Sequence, residues 1–128
     1  MPENRETVST PGAPKAIGPY SQAVRCGGLL FVSGMVPIDP KTGQLLTGDF
    51  EAEVRMALEN LKAVIEAGGM RLEDVVKTTV FLRDIGDFAR FNAIYAEYFG
   101  GILPARETVQ PARLPLDASI EISAICGK

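Results

Sequence analysis

Residues 49–82 read DFEAEVRMALENLKAVIEAGGMRLEDVVKTTVFL, and the spacing of apolar residues changes halfway along this segment. In the first half, apolar residues recur every three or four positions, which predicts a helix with one buried side. Asp49 is placed to cap the start of this helix, and Gly68-Gly69 to end it. The second half, Val75 to Leu82, is rich in β-branched residues and predicts a strand. Apolar side chains are expected on both faces of this strand: Val76, Val80 and Leu82 on one, Val75 and Phe81 on the other.

The neighbouring segments extend this pattern in both directions. Before the helix, the run from Ser21 to Val36 is divided by Cys26-Gly27-Gly28 and predicts two antiparallel strands. A second helix is predicted from about Asp87 to Phe99, and two more strands over Ala105–Gln110 and Ser119–Cys126. The apolar stripe of the second helix is expected to contain Phe88, Phe91, Tyr95, Tyr98 and Phe99. This order favours an α+β fold in which two helices cover one face of a mixed sheet.

Length and composition indicate an ordinary folded domain. The chain has 128 residues, of which 46% are hydrophobic and 23% charged, so we expect a core that offsets the entropy of the unfolded chain. One domain is therefore expected over residues 1–128. Pro2, Pro11, Gly12 and Pro14 interrupt its start, so about residues 1–14 are expected to form a poorly ordered lead-in.

Composition also excludes several classes of function. The sequence has no histidine, which excludes a Ser-His-Asp triad, a Cys-His pair and a zinc site of the His-x-x-x-His type. Cys26 and Cys126 form no Cys-x-x-Cys motif, so no metal site is expected, and two free thiols are favoured over a disulfide. The net charge of −3 does not favour nucleic acid as a partner. No segment has the pattern of a secretion signal or a membrane span, so a cytoplasmic protein without a membrane partner is expected.

The predicted sheet has one face without helices. Val75, Phe81 and Ile125 are expected on that face. Exposed apolar area of this kind usually marks contact with a partner. We therefore expect a homo-oligomer, with functional sites in the clefts at its subunit boundaries.

Arg106 and Glu121 are the first candidates for functional residues. Arg106 follows an irregular loop, so its guanidinium is able to reach a cleft and bind a carboxylate through two parallel hydrogen bonds. The alternative is an ion pair on the surface, which is the commoner role of an arginine. Glu121 lies between Ile120 and Ile122, which are predicted to face the helices, so Glu121 faces the uncovered side. There it either orients a water or forms a structural salt bridge, and both interpretations stay open.

Two further residues have both a functional and a structural interpretation. Asn92 interrupts the apolar side of the second helix, and it either lines a pocket or ties the helix to a loop carbonyl. Tyr20 follows Gly18-Pro19 in a rigid turn, and it either closes one wall of a pocket or packs at an edge. Neither choice follows from the residues alone.

Five segments together resemble a known family. They are Ile17-Gly18-Pro19-Tyr20-Ser21-Gln22-Ala23, Phe31-Val32-Ser33-Gly34, VVKTTVFL over residues 75–82, Pro104-Ala105-Arg106 and Ile120-Glu121-Ile122. In this order, and spread from about Ala13 to Cys126, they resemble the Rid family of reactive intermediate deaminases, the YjgF-like proteins.

The resemblance implies a chorismate-mutase-like fold and a homotrimer with clefts between subunits. It implies hydrolysis of 2-imino acids or their enamine tautomers, such as 2-iminobutanoate, 2-iminopropanoate and 2-aminoacrylate, to 2-oxo acids and ammonia without a cofactor. By position, Arg106 matches the residue that binds the substrate carboxylate, and Glu121 matches the acidic residue associated with the attacking water. The matches to substrate-pocket residues are Tyr20, Ser33, Gly34, Asn92 and Thr108.

Three positions depart from the deaminase pattern. Met35 stands where glutamine is common, Glu107 where a small residue is common, and Pro111 where valine is common. A Glu107 carboxylate turned toward Arg106 would compete with an anionic substrate, although a regular strand points the two apart. Two other functions stay open: a module that binds a small carboxylate without turnover, and an endoribonuclease or translation inhibitor, which the charge and the missing histidine disfavour.

Overall fold

Six strands form one mixed sheet in the computed structural model, which describes residues 5–128. The strands are β1 (Arg5–Val8), β2 (Ala23–Cys26), β3 (Leu29–Met35), β4 (Val75–Leu82), β5 (Ala105–Val109) and β6 (Ile120–Gly127), and the helices are α1 (Phe50–Ala67) and α2 (Phe88–Phe99). The order across the sheet is β1-β2-β3-β6-β4-β5. Neighbouring strands are antiparallel except β4 and β5, which are parallel and connected through α2. The expected α+β fold with a mixed sheet and two helices is confirmed.

One face of the sheet is buried against both helices. Its central side chains on β4 and β6 stand beside one another and are all buried: Thr78, Val80, Leu82, Ile120, Ile122 and Ala124. All of them except Thr78 share one hydrophobic cluster with Val54, Leu58 and Leu61 of α1 and Phe91 of α2. Burial of each large apolar side chain contributes about 1.5–3 kcal/mol relative to exposure. The predicted inward direction of Ile120 and Ile122 is confirmed.

The first helix has the predicted ends, although the two glycines that follow it are needed for different reasons. The Asp49 side chain accepts a hydrogen bond from the Ala52 backbone N–H at 3.2 Å, which caps α1. Gly69 has a φ of +82°, a left-handed conformation that suits glycine. Gly68 has an ordinary φ of −80°. It is required for space, because a β-carbon there would lie 2.7 Å from a methyl group of Leu30.

The start of β4 differs from the predicted alternation. The register between β4 and β6 shifts between Val75 and Lys77, which marks a β-bulge. As a result Val75 is buried and Val76 is 51% exposed. The assignment of these two residues to faces of the strand was therefore wrong, since a bulge moves neighbouring side chains to the opposite face.

The expected poorly ordered lead-in is also wrong for residues 5–14. Arg5–Val8 forms β1 and pairs with β2 along its whole length. The buried side chain of Gln22 accepts a hydrogen bond from the Thr10 backbone N–H at 2.7 Å and donates to the carbonyl oxygens of Ala13 and Pro14 at 3.3 and 2.7 Å. One amide therefore fixes residues 10–14 against the sheet. Residues 1–4 of the predicted lead-in lie outside the described part of the chain.

Within residues 5–128, no helix covers the second face of the sheet. Its side chains include Leu29 and Phe31, each 42% exposed, and Val109, which is 46% exposed. Phe81 and Ile125 are half-buried there. This uncovered apolar face agrees with the expectation for Phe81 and Ile125, while Val75 lies on the other side.

The apolar stripe predicted for α2 included Phe88. The stripe of α2 is buried at Phe91, Ile94, Tyr95 and Phe99, whereas Phe88 is 40% exposed.

Cys26 and Cys126 are both free, and burial raises the pKa of the Cys126 thiol to about 11. Within residues 5–128, no helix combines the length and apolarity needed to cross a membrane.

Candidate functional site

The predicted site residues form two groups on opposite faces of the sheet. Arg106, Asn92 and Thr108 lie on the helix-covered face where β5 meets α2, and we call them the arginine group. Tyr20, Ser33, Gly34 and Glu121 line one cavity, and we call them the glutamate group. The sequence did not predict this division.

Strand register explains the division. Arg106 stands beside Thr78 in the parallel β4–β5 pair, and Thr78 is fully buried under the helices. Glu121 stands beside Phe81 in the antiparallel β4–β6 pair, on the uncovered face. Residues that are neighbours in register point to the same side of a sheet. A single chain therefore cannot bring Arg106 and Glu121 into one cleft.

The guanidinium of Arg106 lies over three aromatic rings of α2. Its Cζ atom is 4.7 Å from the ring centre of Tyr95, 5.5 Å from that of Phe91 and 5.6 Å from that of Phe88. These distances fit cation–π interactions. No acidic side chain within residues 5–128 pairs with Arg106, so the alternative of a surface ion pair is not realised there.

Glu107 does not compete for this guanidinium. Its carboxylate oxygen lies 2.8 Å from Nζ of Lys77. Lys77 and Glu107 stand on neighbouring strands, and the side chains on either side of Glu107 on β5, Arg106 and Thr108, point to the other face. The regular strand geometry expected for Glu107 is confirmed.

Two polar atoms of the arginine group are buried without a hydrogen-bond partner. Asn92 follows Phe88 by four residues and precedes Tyr95 by three, which places it on the side of α2 that meets Arg106. Its Oδ1 atom and Oγ1 of Thr108 are both buried and have no hydrogen-bond partner within residues 5–128. The expected tie from Asn92 to a loop carbonyl does not occur in the described part of the chain. Buried polar atoms are destabilising unless paired, so these two oxygens make the surroundings of Arg106 on this face polar and incompletely satisfied.

The glutamate group surrounds a cavity of about 370 Å³. Much of its wall is apolar and includes Ile17, Val36, Ile38, Pro115 and Leu116. The Tyr20 hydroxyl accepts a hydrogen bond from the Ile17 backbone N–H at 3.3 Å, which holds this turn at the cavity wall. The expectation that Tyr20 closes one wall of a pocket agrees with this placement.

A bulge in β3 forms the floor of the cavity. The register with β6 shifts between Val32 and Met35, which places Ser33 and Gly34 in the irregular part of the strand. The Ser33 hydroxyl donates to the Ser21 carbonyl oxygen at 2.6 Å. Gly34 lies directly under Glu121, since a β-carbon on Gly34 would be 2.6 Å from the carboxyl carbon Cδ of that residue. Glycine is therefore the residue that leaves room for the carboxylate.

Glu121 is half-buried and has no ion-pair partner among the described residues. Burial raises the pKa of this carboxyl group above the usual value of 4.5 for a glutamate. The alternative of a structural salt bridge is not realised within residues 5–128. A carboxylate with a raised pKa at the edge of an apolar cavity is suited to accept a proton from a bound water.

Sequence reasoning missed three residues around this cavity. Gln22 belongs to the motif that carries the family resemblance, and it fixes residues 10–14 and lines the cavity. Lys15 brings a positive charge to the same wall. Leu116 is 56% exposed and has a left-handed φ of +58°, which is unusual for leucine. A polar side chain placed before an apolar strand was the available signal for Gln22.

No metal-binding arrangement occurs within residues 5–128. Groups of three or more histidine, cysteine, aspartate or glutamate side chains able to hold an ion are absent from that range.

Comparisons with known proteins agree on one family. The family model described as Endoribonuclease L-PSP matches residues 10–127. A RutC family protein from Pyrococcus horikoshii is 53% identical over 124 residues, covering 97% of this chain and 98% of the relative. A protein from Salmonella typhimurium named 2-iminobutanoate/2-iminopropanoate deaminase is 49% identical over 123 residues, covering 94% of this chain and 95% of the relative.

A solved structure extends this similarity to three dimensions. The Rid family protein YyfA from Yersinia pestis superposes with a TM-score of 0.94 at 44% identity, covering 97% of this chain and 99% of that chain. The match therefore includes both the sheet and the two helices that position the arginine and glutamate groups. With these relatives and a family model that spans nearly all of its length, the chain belongs to the Rid family.

Proposed function

We propose that this chain hydrolyses 2-imino acids, such as 2-iminobutanoate and 2-iminopropanoate, to 2-oxo acids and ammonia. The observation that carries the proposal is the Arg106 guanidinium, held over aromatic rings without an acidic partner in residues 5–128. A substrate carboxylate fits there through two parallel hydrogen bonds. Two buried oxygens, Oδ1 of Asn92 and Oγ1 of Thr108, lie on the same face and have no hydrogen-bond partner within residues 5–128. The name of the relative from Salmonella typhimurium supports this substrate class.

The proposal includes a homotrimer in which the arginine group of one copy meets the glutamate group of the next. Two observations support it: Arg106 and Glu121 point to opposite faces in one chain, and the uncovered face exposes Leu29, Phe31 and Val109. Contact between different surfaces of identical chains closes into a ring when the rotation is suitable. Each cleft of such a ring would contain one complete site.

The chemistry needs one water and transfers no electrons. The substrate binds as an iminium ion with its carboxylate on Arg106, and Glu121 accepts a proton from a water as the water oxygen bonds to C2. The C=N π electrons move to nitrogen and give a tetrahedral carbinolamine. Glu121 then returns the proton to nitrogen and is ionised again, and the C–N bond breaks. As ammonia leaves, Glu121 takes the proton of the C2–OH group, which becomes the C2=O group, and this proton passes to the ammonia to give the ammonium ion. Because the reaction is a hydrolysis, no redox cofactor takes part.

The test generates the unstable substrate in the cuvette. Threonine dehydratase produces 2-iminobutanoate, and semicarbazide competes with the protein for it, so an active deaminase lowers the rate of semicarbazone formation. We expect the wild-type chain to lower this rate and Arg106→Ala to leave it unchanged. Arg90→Ala is the matched control, because Arg90 lies over the Phe50 ring at 5.0 Å on the outer surface. A wild-type protein without effect would contradict the proposal.

Binding of a small carboxylate without turnover is the second candidate. It is favoured by the arginine group, which is complete within one chain and is separated from Glu121. Calorimetric titration with 2-oxobutanoate, combined with the semicarbazide assay, distinguishes the two functions: saturable binding without faster imine decay favours the binding module. The net charge of −3 and the absence of histidine give no support to RNA cleavage.

A further inference from the structure

We propose that Thr78 and Tyr95 are a positioning pair that fixes the orientation of the Arg106 guanidinium. The inference rests on the proposed function, in which Arg106 binds the substrate carboxylate. It assigns a role to two buried residues outside the predicted set of site residues. The ring of Tyr95 lies under the Arg106 guanidinium, and Thr78 is the neighbour of Arg106 on strand β4.

The first step of the argument is the hydroxyl pair. Oγ1 of Thr78 lies 2.8 Å from the Tyr95 hydroxyl. Thr78 is fully buried and Tyr95 is 8% exposed, so this hydrogen bond lies in a dry environment. Burial raises the pKa of Tyr95, and the Thr78 bond and the nearby Arg106 charge lower it in part. A buried hydroxyl without its partner would be destabilising, so the bond holds the edge of the ring in one position.

The second step is the packing of the ring itself. The Tyr95 ring centre lies 5.3 Å from that of Phe91 and 4.7 Å from that of Phe99. Its two neighbours along the helix therefore restrict the ring from both sides, while Thr78 restricts its hydroxyl end. Of the aromatic rings near Arg106, Tyr95 is the nearest, at 4.7 Å from Cζ.

The third step concerns the flexibility of arginine. A long side chain loses rotational freedom when it binds a carboxylate in a planar, two-bond geometry, and that loss weakens binding. Phe88 alone would hold the guanidinium loosely, because its ring is 40% exposed. The fixed Tyr95 ring keeps the guanidinium oriented before the ligand arrives. The hydroxyl that holds the Tyr95 ring comes from Thr78, whose neighbours on the same face of β4, Val80 and Leu82, have purely apolar side chains.

The main test replaces Tyr95 by phenylalanine, which keeps the ring and removes the hydroxyl. We expect the Kd for 2-oxobutanoate and the KM for the imine to rise about fivefold, while kcat changes less than about twofold. Tyr98→Phe is the matched control: it lies on the same helix and loses a 2.7 Å hydrogen bond to Glu59, but that bond is on the exposed side. Its Kd is expected to equal that of the wild type. An unchanged Kd in Tyr95→Phe would overturn the inference.

Two further measurements separate positioning from general stability. In an Arg106→Ala background, Tyr95→Phe is expected to cause no additional loss of affinity, whereas an equal loss in both backgrounds would indicate a merely structural effect. Relaxation of the Arg106 Nε–H signal in ¹⁵N NMR is expected to show greater mobility in Tyr95→Phe than in the wild type. Equal mobility in the two proteins would contradict the inference without any ligand present.

Substitutions at Thr78 keep the inference testable if Tyr95→Phe does not fold. Thr78→Ser retains the hydroxyl and is expected to bind 2-oxobutanoate like the wild type, while Thr78→Val is expected to bind about fivefold more weakly. Wild-type affinity in Thr78→Val would overturn the inference. A different result would contradict the proposed function itself, namely an Arg106→Ala variant that binds 2-oxobutanoate as tightly as the wild type.

Discussion

Gly34 and Glu121 pack so closely across the β3–β6 pair that a β-carbon on Gly34 would lie 2.6 Å from the carboxyl carbon of Glu121. Real β-carbons do not approach other atoms so closely. The carboxylate therefore owes its position beside the cavity to the lack of a side chain at residue 34. A backbone irregularity in β3 brings Gly34 to this place.

Gly34→Ala is expected to displace the Glu121 carboxylate and lower kcat/KM at least about tenfold, because the proton acceptor no longer meets the bound water. Imine hydrolysis under semicarbazide competition measures the effect. Gly101→Ala is the control, since a β-carbon there would have no neighbouring atom within 4 Å. Equal activity in the two variants would contradict the assigned position of the carboxylate.

The raised pKa of Glu121 predicts opposite effects on activity and stability. The ionised form accepts the proton, so activity is expected to fall as the pH drops through the raised pKa, at a higher pH than for an ordinary glutamate. A folded-state pKa above the unfolded value means that the folded chain loses stability as the pH rises between the two values. Glu121→Gln is therefore expected to be inactive but to have a higher Tm than the wild type at pH 7. The Tm difference is expected to disappear near pH 4.

Thermal melts at both pH values check this prediction, with Glu73→Gln as an exposed control. A Glu121→Gln variant that is less stable than the wild type at pH 7 would show that the carboxylate is stabilised by a partner. No ion-pair partner of Glu121 occurs within residues 5–128, so such a result would point to a partner outside this range.

Mixed oligomers test whether the site is shared between copies. Arg106→Ala and Glu121→Gln are each expected to be inactive, but hybrids assembled from both contain clefts with an intact Arg106 and an intact Glu121. Random assembly of an equal mixture is expected to restore about a quarter of the wild-type activity. Light scattering is expected to give three times the chain mass of 13.7 kDa. Inactive hybrids of confirmed composition would place both groups of residues in separate sites.

Gln22→Met tests the role of one buried amide in ordering the cavity wall. The variant keeps the length of the side chain but loses its hydrogen bonds to Thr10, Ala13 and Pro14. We expect a loss of about 1–3 kcal/mol in the free energy of unfolding, with faster amide exchange over residues 10–17. Gln44→Met, at an exposed loop position, is the control. Unchanged exchange would mean that β1 alone orders this segment.

Periodicity predicted much of the fold because it depends on local pattern. The spacing from Asp49 onward gave both helix ends, and the run from Val75 to Leu82 gave β4 with its observed bounds. The faces of Val75 and Val76 could not be predicted, because the bulge depends on pairing with β6. The strand Arg5–Val8 was missed for a similar reason: its polar sequence forms a strand only by pairing with β2.

The residues themselves made Arg106, Glu121, Asn92 and Tyr20 candidates, and the resemblance added the others, whereas the arrangement of these side chains depends on register. Residues 106 and 121 both lie in strands, and alternation within each strand was predicted correctly for Glu121. The opposite directions of Arg106 and Glu121 follow from which residues of β4 they pair with. A pairing between distant segments leaves no signal in the spacing of either one. Only the assembled sheet reveals that the two residues point apart, which supports the proposal that two copies share one site.

The opposite directions of Arg106 and Glu121 also imply that activity depends on protein concentration. Side-chain rotation cannot bring Arg106 and Glu121 together across a packed sheet. On the proposed mechanism, a single folded copy would therefore have no deaminase activity. Activity would begin when copies meet, and its onset would depend on how much protein a cell has made. Gene dosage and dilution would then control the reaction directly, without an inhibitor or a modifying enzyme.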